Sequence, residues 1–214
     1  MKKLKALTKP MKVINWTQFT DNGFNIIGIN HKEKKTSMTV GMFDGIHRGH
    51  LELIRRIVSH NANYLPVIVT FRQNHKTGKH GSPERGIKHE ENKWQKEIQN
   101  FQQRLEMFEK LGIQITIAAD FTEAFKKMPG IEFLEVLLKN GNPGFFTTGS
   151  NFRCGYRLDT DANAIEKFFV SRGIPAEIVP EVMEGALPVS SSRIRTAIND
   201  GDITLAQTML GRKI

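Results

Sequence analysis

Short apolar runs rich in β-branched residues alternate along this chain with segments of helical periodicity, and this alternation constrains the fold most. Five such runs predict strands at residues 38–43, 66–71, 113–118, 144–148 and 176–179. The segments between them place apolar residues three and four positions apart, as in amphipathic helices. Alternating strands and helices are typical of βαβ units, whose strands run parallel. The sequence therefore predicts an α/β fold with a doubly wound, mainly parallel open sheet of about five strands.

Length and composition fit one globular domain with a short addition. The chain has 214 residues, of which 39% are hydrophobic and 25% charged, and this composition excludes wholesale disorder. We assign residues 38–214 to the domain and residues 1–37 to an N-terminal extension that packs on it or leads into it. A single cysteine, Cys154, excludes a framework of internal disulfides.

The N-terminal sequence and the net charge limit where the protein can be located and which partners it can bind. The basic N-terminus lacks the apolar segment of a signal peptide, and no apolar run approaches the length of a bilayer span. We therefore expect a cytoplasmic protein without a membrane partner. The net charge of +9 favours polyanions. The cations are not interleaved with aromatic residues, as base stacking requires, so we expect no nucleic-acid partner. The sequence leaves the oligomeric state open.

The strongest local signal is the segment at residues 41–50, GMFDGIHRGH, which joins the first predicted strand to the first predicted helix. Beyond the carboxyl end of a strand, a helix N-terminus offers free N–H groups to phosphate. Gly45 and Gly49 allow the backbone to approach a ligand closely. His47 and His50 share one face of the first helical turn, so both can donate to a phosphoryl group. We predict no metal held by protein ligands, because no third ligand accompanies the histidines.

A second segment suited to anions lies near the C-terminus, at residues 189–195, VSSSRIR. Three consecutive hydroxyl side chains at the start of a helix provide N-cap chemistry, and Arg193 and Arg195 add two guanidinium groups. Alone, this segment is also compatible with a plain helix cap carrying exposed arginines. Two such motifs at opposite ends of one domain favour phosphate binding.

The pattern Gly-x-Phe-Asp-Gly-x-His-x-Gly-His at residues 41–50 resembles the signature of the bacterial FAD synthetase family. This family is the FMN adenylyltransferase module of bifunctional riboflavin kinase/FAD synthetases, and it belongs to the HxGH nucleotidyltransferases with a Rossmann-like fold. Residues 189–195 resemble the family's SSTxIR element. The resemblance extends from about residue 38 to residue 212, and we expect the riboflavin kinase domain to be absent.

The resemblance implies that AMP is transferred from ATP to the phosphate of FMN, giving FAD and pyrophosphate, with Mg²⁺ accompanying ATP. It implies His47, His50 and Arg193 as catalytic residues. The nucleotide-binding residues that it implies are Gly41, Phe43, Asp44, Gly45, Gly49, Ser190, Ser191, Ser192 and Arg195. The protonation state of the histidines stays open, because a helix N-terminus disfavours imidazolium whereas bound polyphosphate favours it.

Two segments depart from the family pattern. Residues 149–155, GSNFRCG, are similar to the family's GxDFRFG but carry Asn151 and Cys154 at two positions. Residues 72–75 replace its Pro-His-Pro element. The residues implied at the flavin or ribose, more weakly than the others, are Asn151, Phe152, Arg153 and Asn74. Two alternatives stay open: an HxGH nucleotidyltransferase with another phosphorylated acceptor, and a non-catalytic nucleotide- or flavin-binding protein.

Overall fold

Six parallel strands form the central sheet of the computed structural model, which describes residues 10–30, 34–72 and 97–214. They are β1 (Lys12–Asn15), β2 (Thr36–Val40), β3 (Leu65–Phe71), β4 (Ile115–Ala119), β5 (Pro143–Gly149) and β8 (Ala176–Val179). Their order across the sheet is β1-β4-β3-β2-β5-β8, and every neighbouring pair is parallel. The predicted doubly wound α/β fold is confirmed.

The sheet contains one strand more than the five that the sequence predicts. The additional strand, β1, lies at the edge and pairs with β4 from Lys12 opposite Ile115 to Asn15 opposite Ala118. Only Ile14 of this four-residue strand is buried, so no apolar run marks it in the sequence. The division at residue 37 stays a prediction, although Thr36 and Ser37 already belong to β2.

Eight α-helices are found in the described residues, and most of them cover the two faces of the sheet. They are α1 (Trp16–Asn22), α2 (Arg48–Ser59), α3 (Phe101–Lys110), α4 (Glu123–Lys126), α5 (Gly130–Gly141), α6 (Ala162–Val170), α7 (Ser191–Asn199) and α8 (Ile203–Leu210). Short 3₁₀ helices lie at Gly23–Ile27 and Tyr156–Leu158. Among residues 10–30, 34–72 and 97–214, every helix is too short or too polar to cross a bilayer.

Consecutive strand residues contribute to different cores, because side chains alternate across a sheet. Val67 and Val69 of β3 join a core that contains residues of α1, α5 and α6. Ile68, between them, joins a second core with α2 and with Phe108 of α3. Burial on both faces explains why β3, LPVIVTF, is almost continuously apolar. Helices α7 and α8 enclose a third, smaller cluster, which includes Ile194 and Met209.

Two small antiparallel hairpins lie outside the main sheet. One pairs β6 (Arg153–Cys154) with β7 (Thr160–Asp161), and the other pairs β9 (Met183–Glu184) with β10 (Leu187–Pro188). They follow β5 and β8 in the chain, so both extend from the carboxyl ends of sheet strands.

The packing between α6 and the sheet can be tested with two adjacent residues. Phe169 is fully buried and stacks on Phe146 of β5, with ring centroids 4.2 Å apart. Phe169→Ala should lower the free energy of unfolding by about 3–5 kcal/mol, since it removes buried surface and leaves a cavity. Val170 is 54% exposed, so Val170→Ala should change the free energy of unfolding by less than about 0.5 kcal/mol. Equal effects in urea unfolding would contradict this packing.

Candidate active site

A cavity of about 660 Å³ opens at the carboxyl end of the sheet. Val40, Gly149 and Val179, the last residues of β2, β5 and β8, all line it. The chain proceeds from β2 through β3 to β4 on one side, and from β5 to β8 on the other. The strand order therefore reverses between β2 and β5, where doubly wound sheets bind ligands. We call this cavity the cleft.

The loop between β2 and α2, residues 41–47, carries the first predicted motif. Phe43, Gly45 and Ile46 have φ angles of 52°, 80° and 38°, in the left-handed region that favours glycine. At Gly45 a Cβ atom would also lie 2.9 Å from the Ile98 side chain. Phe43 and Ile46 are fully buried in the core with α2 and α3. Apolar packing thus supports an otherwise unfavourable backbone.

The two histidines of this motif lie against each other at the start of α2. His47 is the N-cap residue and His50 lies in the first turn, and their rings stack with centroids 3.7 Å apart. Both residues line the cleft. The Nδ1 atom of each is buried, without a hydrogen-bond partner among the described residues. Because an unpartnered buried polar atom costs about 1–3 kcal/mol, a ligand that supplies a partner would be bound more favourably.

The surroundings of the two imidazoles favour their neutral forms. Burial, followed by the guanidinium of Arg212, lowers the pKa of His47 from 6.5 to about 4. Burial is also the largest cause of the low pKa of His50, followed by His47 and Arg104. Near neutral pH each ring therefore has one nitrogen that donates and one that accepts. In the ligand-free protein, burial therefore favours the neutral imidazoles.

Asp44 joins the β2–α2 loop to the C-terminal helices. Its carboxylate is buried, and Oδ2 accepts a hydrogen bond of 2.7 Å from Nη1 of Arg195 in α7. Oδ1 accepts from the N–H groups of Ile98 and Gln99, at 3.0 and 3.2 Å. The Ser191 hydroxyl donates to the main-chain carbonyl of Asp44 at 2.9 Å. The two motifs, far apart in the chain, therefore form one site.

The second motif begins helix α7 at the edge of the cleft. Ser190 is the N-cap residue, and its hydroxyl accepts a hydrogen bond from the N–H of Arg193. The first turns of both α2 and α7 contribute lining residues. Since helix N-termini carry free N–H groups and a partial positive charge, this arrangement suits a ligand with several phosphates.

The structure brings most of the predicted nucleotide-site residues together. Those that line the cleft are Gly41, Asp44, His47, Gly49, His50, Ser190, Ser191, Ser192 and Arg195.

Three predicted contact residues do not line the cleft. Nη1 of Arg193 instead donates to the carbonyl of Leu187 in β10 at 2.9 Å. Phe43 and Gly45 lie in the supporting loop, where Phe43 packs edge-to-face on Phe108 at 5.5 Å. The roles that the sequence predicts for these residues at the ligand stay predictions; in the structure they occupy positions that support the cleft.

The predicted flavin or ribose residues lie on another part of the cleft wall. Asn151, Phe152 and Arg153 all line it, whereas Asn74 lies outside the described residues. The Asn151 amide donates to Oε1 of Glu181 at 2.9 Å. An aspartate at this position would place two carboxylates together, whereas the asparagine amide can donate to the glutamate.

Arg104 and Arg212 support the cleft from outside its lining, and the sequence analysis did not predict either of them. Arg104 of α3 is fully buried and donates to the carbonyls of Met42 and Phe71, at 2.7 and 2.9 Å. It thereby connects the chain just beyond β2 with the end of β3. A charged residue on the otherwise apolar face of α3 was the available signal. Arg212 donates to the carbonyls of Gly45 and Ile46, and no local pattern marks it.

A model of the FAD synthetase family matches residues 29–193, which include the first motif, residues 189–193 of the second motif and most of the cleft lining. The chain belongs to the FAD synthetase family.

Known proteins similar to the chain include both bifunctional and shorter members. A bifunctional riboflavin kinase/FMN adenylyltransferase of Escherichia coli K12 is 24% identical over 176 residues, covering 81% of this chain and 53% of that protein. The corresponding Bacillus subtilis protein is 25% identical, with coverages of 86% and 56%. An FAD synthetase of Listeria monocytogenes is 23% identical, with coverages of 85% and 71%. The chain thus spans about half the length of the bifunctional relatives.

A solved structure resembles the whole described fold. The crystal structure of a macrolide-efflux protein from Streptococcus pneumoniae aligns with a TM-score of 0.74, covering 94% of this chain and 60% of that one. At 23% sequence identity this similarity shows the fold alone.

The Asp44–Arg195 pair should stabilise the folded protein far more than an exposed pair does. Asp44→Asn keeps the shape of the side chain but leaves the Arg195 charge without its carboxylate. We expect a loss of about 3–5 kcal/mol in the free energy of unfolding, measured with urea. Glu135→Gln, which breaks the exposed pair with Arg172, is the matched control and should lose less than about 1 kcal/mol. Similar losses would refute the difference.

The low pKa of His47 should make stability depend on pH. Its folded-state pKa of about 4 lies below the ordinary 6.5, so the unfolded chain binds the proton first. The contribution of neutral His47 to the free energy of unfolding is therefore complete above pH 6.5. It falls as the pH decreases, and the loss levels off below about pH 4. Between pH 7.5 and pH 5, the free energy of unfolding of the wild type should fall by about 2 kcal/mol more than that of His47→Gln. Parallel urea unfolding curves at pH 7.5 and 5 measure this difference, and identical pH dependence would contradict it.

Proposed function

We propose that this protein is an FMN adenylyltransferase that transfers AMP from ATP to the phosphate of FMN, forming FAD and pyrophosphate. The observation that carries the proposal is the meeting of two phosphate-type motifs in one cleft. The stacked His47 and His50 rings and the serine-rich start of α7 line the same cavity. Family membership supports the reaction type.

The lining of the cleft also suits the second substrate. Apolar side chains, among them Phe121, Phe152 and Leu158, share the cavity with the polar motifs. Flat ring systems such as a flavin bind favourably to apolar and aromatic surfaces, while their phosphates need polar donors. This combination of surfaces supports FMN as the acceptor.

In the proposed reaction, a phosphate oxygen of FMN attacks the α-phosphorus of ATP in line. A new P–O bond joins the two nucleotides, and the bond between the α-phosphorus and the oxygen bridging to the β-phosphate breaks. The electron pair leaves with pyrophosphate. No protein nucleophile takes part, so the protein acts by positioning the substrates and stabilising charge.

The histidines and serines have separate roles in this proposal. Neutral His47 and His50 donate hydrogen bonds to oxygens of the phosphoryl group under attack, where negative charge increases. The hydroxyls of Ser190 and Ser192 and the free N–H groups of α7 hold the departing pyrophosphate, while the Ser191 hydroxyl donates to the Asp44 carbonyl. Arg195 keeps the two motifs together through Asp44. We assign Arg193 no ligand contact, because its guanidinium is bonded to the β10 backbone.

Magnesium would accompany ATP in this reaction and neutralise phosphate charge. The cleft does not fit a site in which protein ligands alone hold the ion. Its carboxylates on Asp44 and Glu181 already accept hydrogen bonds from Arg195 and Asn151. In the described ranges, no three His, Cys, Asp or Glu side chains group as a metal site. The ATP phosphates would carry the Mg²⁺.

The proposal predicts FAD formation that depends on the histidine pair. Purified protein is incubated with ATP, Mg²⁺ and FMN, and FAD and pyrophosphate are measured in parallel. His47→Ala and His50→Ala should each lower kcat by about 100-fold, the usual loss when one donor to a developing charge is removed. His60→Ala is the matched control, because the half-buried His60 lies outside the cleft lining. It should keep the wild-type kcat.

The acceptor is tested by replacing FMN with phosphopantetheine or nicotinamide mononucleotide. Pyrophosphate release with one of these compounds, and none with FMN, would exclude the proposed acceptor while keeping the transferase chemistry. Thermal stabilisation by ATP or FMN without pyrophosphate release would instead indicate a binding protein. Equal kcat values for the cleft variants and His60→Ala would remove the histidines from the mechanism.

A further inference from the structure

Three consecutive carbonyl groups of the β2–α2 loop accept hydrogen bonds from side chains in the C-terminal part of the chain. The Ser191 hydroxyl donates to the carbonyl of Asp44. Nη1 of Arg212 donates to the carbonyl of Ile46 at 2.9 Å, and Nη2 donates to that of Gly45. A planar guanidinium donates from two nitrogens in a fixed geometry and can thereby hold the relative orientation of two adjacent carbonyls, whereas an ammonium group donates from a single nitrogen.

The two carbonyls held by Arg212 belong to the least favourable part of the loop backbone. Gly45 and Ile46 both lie in the left-handed region, with φ angles of 80° and 38°. A β-branched residue such as isoleucine adopts this conformation only when its surroundings hold it. The buried Ile46 side chain supplies one restraint, and the hydrogen bonds from Arg212 supply another.

The orientation of the His47 ring depends on this backbone. His47 follows Ile46 directly, and its side chain forms no capping hydrogen bond. Its Nδ1 has no partner in the described part of the chain, and its nearest ring contact is the stacked His50. With no polar partner for its Nδ1, the ring is aimed mainly by the loop that precedes it and by stacking.

Arg212 also contributes to the charge that His47 experiences. After burial, the Arg212 guanidinium is the cause of the low pKa of His47. Four other charged side chains line the cleft. Asp44 is paired with Arg195, and Glu181 accepts a hydrogen bond from Asn151. The fourth is Arg153. Arg212 itself is absent from the cleft lining, so its action on a ligand would pass through the loop.

We propose that Arg212 is a positioning residue, which fixes the Gly45–Ile46 backbone so that the His47 ring points at the phosphoryl group under attack. This inference rests on the proposed adenylyltransferase function, and it adds a residue from outside both motifs.

The test compares Arg212→Ala and Arg212→Lys with Lys213→Gln, which removes a charge from the next, exposed residue. We expect Arg212→Ala to lower kcat for FAD formation about tenfold or more, with the KM for ATP changing less than about threefold. Arg212→Lys should also lose kcat, because an ammonium group donates from one nitrogen and lacks the fixed two-nitrogen geometry of a guanidinium. Lys213→Gln should match the wild type.

Nuclear magnetic resonance of the His47 imidazole supplies a readout that needs no turnover. Arg212→Ala should raise the pKa of His47 from about 4 by about one unit towards its ordinary value, because the nearby cation is gone. Arg212→Lys should keep the pKa low while its kcat falls, which separates charge from geometry. Thermal unfolding checks that each variant is folded at the assay temperature, and the milder lysine variant serves if the alanine variant unfolds.

The outcomes distinguish this inference from the proposed function. If the wild type forms no FAD, the adenylyltransferase proposal fails, and the His47 chemical shifts and titration still decide whether Arg212 controls the ring. Wild-type kcat and an unchanged His47 titration in Arg212→Ala would overturn the inference. Full kcat in Arg212→Lys would also overturn it, since charge alone would then suffice.

Discussion

The buried ion pair between Asp44 and Arg195 is the interaction on which the site depends. It joins the loop after β2 to helix α7, and the second carboxylate oxygen of Asp44 accepts the N–H groups of Ile98 and Gln99. Three distant chain segments therefore meet at one side chain. Because an unpaired charge in this position would be strongly unfavourable, the pair strongly favours the arrangement in which both motifs face the same cleft.

Groups that carry the proposed chemistry are not the ones that stabilise the fold. The Nδ1 atoms of His47 and His50 are buried without partners in the described chain. Their neutral state follows from burial and from the arginines behind them. A pair of neutral donors in a sheltered cleft can respond to charge that develops on a phosphate without first releasing water. Apolar packing and the arginine contacts hold this unfavourable arrangement in place.

The sequence predicted the parts of the molecule that local patterns encode. The five strands other than β1 follow from apolar periodicity, and the histidine and serine motifs follow from their positions after a strand and before a helix. The edge strand β1 was missed because only Ile14 is buried. Phe43 has a positive φ angle and is buried in the core with α2 and α3, a direction that no spacing in the sequence reveals. Arg104 and Arg212 bind main-chain carbonyls of other elements, which are contacts that no spacing within a segment reveals.

The most direct test of the whole account is a double-mutant cycle of Asp44→Asn and Arg195→Gln, with kcat/KM for FAD formation as the readout. If the pair joins the two motifs into one adenylyl-transfer site, the double variant should be about as slow as the slower single variant. Wild-type FAD formation with losses that simply multiply would contradict the coupling. Absence of FAD with the wild type would contradict the function itself.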